Sequence, residues 1–301
     1  MADYINSPDA CVTEMSLDDL KKIKNGAPFE SPVNPVELTL DSEIRFHCHK
    51  GVSCFNACCR HVDITLTPYD ILRLKRRMNM TSSEWVSRYT LPFPMDAHEM
   101  PGLKLATKPG SNECVFLRKE GCGVYEDRPA ACRYYALGQM GVKRQGSDRV
   151  EDIFFLVREE HCKGHEEPRT LSVRDYLEEQ GIGEYDEANR EWRDIVLKKR
   201  SSGPTVGKPS SRSMQLFDMC SYDIDSFRRF FQSPGFSEIF DLGDEEKQSL
   251  LEDEDRLFNF ACRFLKQILF AEMTIDVNPR GREKRLARRR ERAATSKKPG
   301  T

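Results

Sequence analysis

The chain has 301 residues, of which 38% are hydrophobic and 32% charged, and its mean hydropathy is -0.63. This composition is typical of a well-solvated protein with one large domain or two modest ones, and no apolar run approaches the roughly 18 to 20 residues that span a bilayer. The first residues lack the basic head and apolar middle of a signal peptide. We therefore expect a cytoplasmic protein without a membrane partner.

Charge is distributed unevenly along the chain, although the net charge is only -2. Residues 280–298 hold ten basic residues against Glu283 and Glu291, so this segment carries +8 and the remainder carries -10. A basic tail can bind nucleic acid. It contains no interleaved aromatic residues and no recognisable binding module, so a disordered solubilising tail is an equal alternative.

The first part of the chain is predicted to lead into a cysteine-rich segment. Residues 1–35 form a lead-in with a short helix over 17–25, and alternating polar and apolar residues predict strands at 36–40 and 43–46. After the cysteine-rich segment, Thr67 as N-cap, Pro68 at the first helical position and Asp70 predict a helix with a capping box. Thr81 and Glu84 predict a second short helix.

The middle of the chain is predicted as short strands, and the later part as helices. Strands are expected at 103–107, 114–117, 123–125 and 150–157, with a hairpin connection at 119–121 that places Cys114 and Cys122 opposite each other. Helical periodicity predicts helices at 172–180, 184–199, 225–231 and 244–271. Serine, glycine and proline mark residues 201–213 as a loop or linker.

These elements together predict an α+β protein. A small cysteine-cluster metal-binding domain of short strands and helices is expected at 36–168, followed by a helical domain at 169–278 that includes the loop 201–213. Residues 1–35 are the lead-in, and residues 279–301 are the basic, disordered tail.

Eight of the eleven cysteines lie in one part of the chain, and we interpret them as metal ligands. A reducing cytosol, an odd number of cysteines and two adjacent cysteines all disfavour a disulfide framework. Four thiolates suit a zinc ion or an iron–sulfur cluster, so eight can form two sites or one multinuclear site. The predicted ligands are Cys48, Cys54, Cys58, Cys59, Cys114, Cys122, Cys132 and Cys162.

The cysteine spacing excludes the common zinc-finger patterns because no C-x2-C pair is present. The spacing Cys54-x3-Cys58 begins like the radical S-adenosylmethionine triplet, but the next cysteine follows at once. The remaining cysteines are assigned other roles: Cys220 and Cys262 are expected to be small buried apolar residues, and Cys11 lies in the lead-in.

Other residues near the cysteines could assist metal binding. Arg60, Arg133 and Lys163 each follow a cysteine, and nearby cations lower thiol pKa values, although basic neighbours are common in this chain. Five histidines lie close to the cysteines in sequence and could replace a missing sulfur ligand. For each of them, a surface or outer-sphere position is the preferred alternative. They are His47, His49, His61, His161 and His165.

Residues 45–165 resemble a known family, the YkgJ-type cysteine-cluster proteins. The shared motifs are Phe46-His-Cys48, Cys54-x3-Cys58-Cys59-Arg60, Leu66-Thr67-Pro68-Tyr69-Asp70, Cys114-Val-Phe-Leu117, Cys122-Gly-Val-Tyr125 and Arg128-Pro129-x2-Cys132-Arg133. The resemblance implies a domain that chelates zinc or iron, the latter also as an iron–sulfur cluster. Because the family is related to flagellin lysine N-methylases, it also implies an alternative: a metal-cluster enzyme that methylates protein lysine with S-adenosylmethionine.

Overall fold

A computed structural model describes residues 33–96, 98–143, 150–201 and 209–279, together with residues 281, 283 and 287. The strands are β1 Val33–Leu38, β2 Glu43–Arg45, β3 Thr65–Leu66, β4 Thr90–Pro94, β5 Pro101–Leu105, β6 Leu117–Arg118, β7 Gly121–Cys122, β8 Leu137–Lys143, β9 Val150–Val157 and β10 Thr170–Ser172. The α-helices are α1 Pro68–Met78, α2 Ser82–Tyr89, α3 Ala130–Tyr134, α4 Val173–Glu179, α5 Ile182–Ser201, α6 Ser211–Tyr222, α7 Ile224–Phe231, α8 Pro234–Ser237, α9 Asp244–Glu252 and α10 Glu254–Phe270. The mixed α+β class is therefore confirmed.

Short antiparallel ladders connect distant parts of the chain. The strand orders are β1-β9-β8, β10-β2, β3-β5-β4 and β6-β7. The predicted strand at 150–157 is confirmed as β9, which pairs with β1 and with β8. Because β2 pairs with β10, the chain just before the first cysteines lies beside residues 170–172.

The described residues belong to two compact units. Of the described residues, those up to 80 and from 84 to 201 belong to one unit, and residues 81–83 and those from 209 onward belong to the other. Helices α4 and α5 belong to the first unit, and the domain boundary near residue 168 stays a prediction. None of the helices in the described ranges has the length and apolar character that a membrane span requires.

Helix α1 begins where the sequence predicts, and two reciprocal hydrogen bonds between Thr67 and Asp70 stabilise its first turn. The Thr67 side chain accepts from the Asp70 backbone N–H, and the Asp70 carboxylate accepts from the Thr67 N–H, which completes the capping box. Ile71 and Leu74 on this helix are buried. The helix ends at Asn79, which adopts a left-handed backbone conformation that asparagine tolerates.

The second unit is built around phenylalanine side chains from the three helices α7, α8 and α10 and from the loop that follows α8. The helix predicted at 244–271 is divided in two, because Asp253 leaves helical geometry and its side chain caps the N-terminus of α10. The ring centroids of neighbouring aromatic pairs lie 4.7 to 6.4 Å apart. The rings belong to Phe227, Phe230, Phe231, Phe236, Phe240, Phe260 and Phe264.

Several other predicted elements differ in position. The hairpin near residue 120 is present as β6 and β7, but Cys122 pairs with Leu117, whereas Cys114 forms an isolated bridge with Thr107. Helix α6 begins at Ser211, within the segment predicted as a loop. The predicted helix at 17–25 and most of the basic tail lie outside the described residues.

Candidate metal centre

The eight predicted ligands come from five separate segments of the first unit. Four lie in the loop and 3₁₀ turn that follow β2, one lies in the bridge with Thr107, one lies on β7, one lies on α3, and one lies in the turn after β9. In that order they are Cys48, Cys54, Cys58 and Cys59, then Cys114, Cys122, Cys132 and Cys162.

One group of thiols joins the start of this region to its end. The Cys54 sulfur accepts a hydrogen bond from the Lys163 backbone N–H at 3.1 Å. Burial, followed by the neighbouring thiols of Cys58, Cys54 and Cys162, raises the pKa of Cys48 to about 11. Residues separated by more than 100 positions in sequence therefore contribute to one group.

A second group surrounds Cys132 on α3. Burial raises the pKa of Cys132, and Cys114, Asp70, Cys122 and Cys58 add to that effect because negative charges close together repel each other. The same causes, burial first and a neighbouring thiol next, raise the pKa of Cys114.

Cys58 and Cys59 connect the two groups. Their sulfurs lie 3.9 Å apart, and the hydrogen bond from Cys59 lowers the pKa of Cys58 to about 7, although burial opposes this effect. The same hydrogen bond, followed by burial, raises the pKa of Cys59. Cys58 also raises the pKa of members of both groups, including Cys48 and Cys132, so it is the thiol that the two groups share.

The sulfurs are neighbours but are not gathered to the distances of a single bound ion. Among the described residues, His47, His49 and Glu167 form a group of possible metal ligands. Their ligand atoms all lie within 4.8 Å of one another, which is the criterion for a group of three or more His, Cys, Asp or Glu side chains. No three of the eight thiols meet that criterion. The described cysteines are free thiols, and Cys220 and Cys262 are buried, as expected.

The cations that act on the thiols are only partly those predicted. Lys163 interacts with Cys54 and Cys162, whereas Arg60 pairs with Glu113 at 2.9 Å. Arg133 is buried and donates to the backbone carbonyl oxygens of residues 126, 128 and 180. Arg128, whose position in the sequence did not indicate this role, opposes the rise in the pKa of Cys48 and of Cys122.

Asp70 holds the helix that carries Cys132. Its carboxylate is fully buried and accepts from the backbone N–H groups of Thr67 at 2.7 Å and Ala130 at 2.8 Å. Ala130 is the first residue of α3, so Asp70 connects α1 to the helix that presents Cys132. Burial raises the pKa of Asp70 to about 6, and the hydrogen bonds from Thr67 and Ala130 oppose this rise. The capping motif indicated the first contact, but nothing in the sequence indicated the second.

The donor set fits a thiophilic metal. Closely spaced thiols raise each other's pKa, and they release their protons more easily when a cation neutralises the resulting thiolate charges. Thiolates prefer zinc, copper(I) or iron–sulfur clusters. Arg128 and Lys163 would offset the negative charge that several thiolates leave on such a centre.

Comparison with known families supports the same assignment. Residues 47–163 match the family model named CxxCxxCC, whose description is "Putative zinc- or iron-chelating domain". The match includes all eight cysteines and covers less than half of the chain. This match confirms the resemblance to a cysteine-cluster family that the motifs indicated. The comparisons with curated proteins and with solved structures found no match.

Proposed function

We propose that residues 48–162 bind zinc or iron through their eight cysteine thiolates, in two adjacent sites or one multinuclear site. The observation that carries this proposal is that thiols from distant segments meet: the Cys54 sulfur accepts from the Lys163 N–H at 3.1 Å, and the Cys58 and Cys59 sulfurs lie 3.9 Å apart. Metal ions are the partners, and the bound metal connects five segments that are otherwise held by short ladders and turns.

The metal itself is identified by composition and colour. An iron–sulfur cluster gives a brown protein with visible absorption, whereas zinc gives a colourless one. We expect anaerobically purified full-length protein to contain zinc or iron in stoichiometric amount by elemental analysis, with acid-labile sulfide if a cluster is present. A protein without bound metal after this procedure would contradict the proposal.

The ligand set is tested by a matched pair of variants, one at the half-buried Cys132 and one at the buried Cys262. Cys132→Ser removes a thiol from the second group, whereas Cys262→Ser removes a buried thiol on α10 in the other unit. We expect Cys132→Ser to lower the metal content per chain and Cys262→Ser to leave it unchanged. Equal metal content in the two variants would exclude Cys132 as a ligand.

Three further proposals concern an alternative function, the cellular location and a nucleic-acid partner, and they follow from the family resemblance and from composition. Methylation of a protein lysine with S-adenosylmethionine is the alternative function, and calorimetry should detect S-adenosylmethionine binding if it is correct. A reducing cytoplasm would keep the free thiols competent for metal binding. A nucleic-acid partner would show salt-dependent binding that is lost on truncation after Pro279.

A further inference from the structure

A second set of metal-ligand side chains lies beside the cysteine centre. Ligand atoms of His47, His49 and Glu167 all lie within 4.8 Å of one another. The His47 and His49 ring centroids are 4.5 Å apart, and His49 Nε2 lies 3.3 Å from Glu167 Oε2. Metal–nitrogen and metal–oxygen bonds of about 2.1 Å place donors about 3 to 3.5 Å apart, so small side-chain movements would close this group around an ion.

The direction of successive side chains along residues 47–49 separates these donors from the thiols. Side chains at successive positions of an extended segment point to opposite sides, so positions two residues apart share a side. His47 and His49 have adjacent rings and so lie on one side, while Cys48 between them interacts with Cys54, Cys58 and Cys162. The sequence His-Cys-His therefore contributes to two different groups of donors.

The backbone around these side chains is fixed by a ladder. Strand β2 pairs with β10, and the pairing continues through two hydrogen bonds, from the Phe46 N–H to the Arg169 carbonyl and from the His47 N–H to the Gly164 carbonyl. The Arg45 side chain donates to the carbonyl oxygens of Glu166 at 2.5 Å and Glu167 at 2.6 Å. Glu167 is thus held opposite the two histidines although about 120 residues separate them in sequence.

We propose that His47, His49 and Glu167 bind one divalent transition-metal ion, separately from the cysteine centre. Two imidazoles and one carboxylate suit zinc or iron(II) and leave at least one coordination position open to water or another ligand. The three side chains are half-buried, so an ion bound there remains accessible to solvent.

Binding requires a defined change at His49. Its Nδ1 accepts from the Gly51 backbone N–H at 3.1 Å, which places the ring proton on Nε2, facing Glu167. An ion on Nε2 replaces that proton, and a neutral ring then carries its proton on Nδ1. The Gly51 N–H must therefore turn away, which changes the NMR signal of this exposed amide.

Cobalt(II) tests the site because its spectrum reports the donor atoms. Purified full-length protein that retains its native metal is titrated with CoCl₂. We expect one further Co²⁺ per chain, with weak d–d bands, no thiolate-to-cobalt charge-transfer band and a shifted Gly51 amide signal. Glu167→Gln and His49→Gln should each weaken this binding by more than roughly 10-fold, since loss of even an outer-sphere partner costs that much.

His161→Gln is the matched control. His161 also neighbours a predicted cysteine ligand and pairs with a carboxylate, Glu159, at 3.6 Å, but it belongs to no three-donor group among the described residues. It should bind Co²⁺ as the wild type does. Absence of the further Co²⁺, a charge-transfer band on that ion, or equal binding by Glu167→Gln would each overturn the proposal. Failure of the cysteine centre is distinguishable because it would show as missing native metal.

Discussion

The cysteine region and the phenylalanine-rich unit are held together in different ways. Between Cys48 and Cys162, the elements that carry or adjoin the later cysteines are short: β6 and β7 have two residues each and α3 has five. In the second unit, longer helices such as α10 bury aromatic rings against one another. Burial of apolar surface stabilises the second unit without a ligand. The thiols of the first unit come from distant segments, so we expect a bound metal to contribute much of the cohesion there.

Metal removal tests this contrast most strongly. Structural zinc sites contribute on the order of 10 kcal/mol of binding free energy, which is also folding free energy. We expect a strong chelator to lower the thermal stability of the first unit and to leave the unfolding transition of the second unit in place. The measurement is calorimetry with and without chelator. A single transition that the chelator does not move would remove the contrast.

A cavity in the phenylalanine cluster tests whether burial of aromatic rings stabilises the second unit. Phe264 is 1% exposed, and its ring contacts those of Phe227, Phe230 and Phe236. Phe264→Ala should destabilise the second unit by about 3 to 5 kcal/mol, as measured by urea unfolding followed by circular dichroism. Metal content should not change. Loss of metal in this variant would show that the two regions are energetically coupled.

The buried Asp70 should produce a pH-dependent effect in the first unit. Folding raises the pKa of Asp70 from 3.8 to about 6, so its contribution to stability is present below about pH 3.8 and is lost as pH rises through about 6. Between about pH 5 and pH 7.5, the wild type should lose roughly 1.4 kcal/mol that Asp70→Asn does not lose. Paired unfolding curves of the two metal-loaded proteins measure this difference, and parallel pH profiles would contradict it.

Helix caps offer the smallest and most closely matched comparison. Ser233 caps α8 in the second unit, and its replacement by alanine should cost about 1 kcal/mol. Thr67 caps α1 in the first unit, but its hydroxyl also accepts from Asn189 Nδ2 at 3.0 Å. Thr67→Ala should therefore cost more than Ser233→Ala in chemical denaturation. Equal losses would mean that the Asn189 contact adds nothing.

The features that the sequence predicted well are those with local causes. The capping box of α1, the start of α4 at its Ser172 N-cap and strand β9 all follow from residues a few positions apart. The family motifs likewise indicated a metal-chelating domain, because the cysteine spacing can be read directly from the chain.

The features that the sequence did not predict depend on distant contacts. The partner of Asp70 is Ala130, and the partner of His49 is Glu167. No local periodicity reports such pairs, since the partners lie 60 and 118 residues apart in sequence. Asp253 shows a different problem: it lies inside a continuous helical pattern, yet its side chain caps a new helix. Its preference for a cap position was present in the sequence but was outweighed by the pattern around it.

The distance along the chain between the cysteine-rich stretch Cys48 to Cys59 and Cys162 also affects how the protein is made. At the usual ribosomal rate of about 5 to 20 residues per second, Cys162 is added roughly 5 to 20 seconds after Cys59. During that interval the early thiols have emerged without the Lys163 amide that contacts Cys54 or the helix that carries Cys132. Nascent chains should therefore be vulnerable to oxidation and to capture of the wrong metal, and slowing translation upstream of codon 162 should lower the yield of correctly metallated protein.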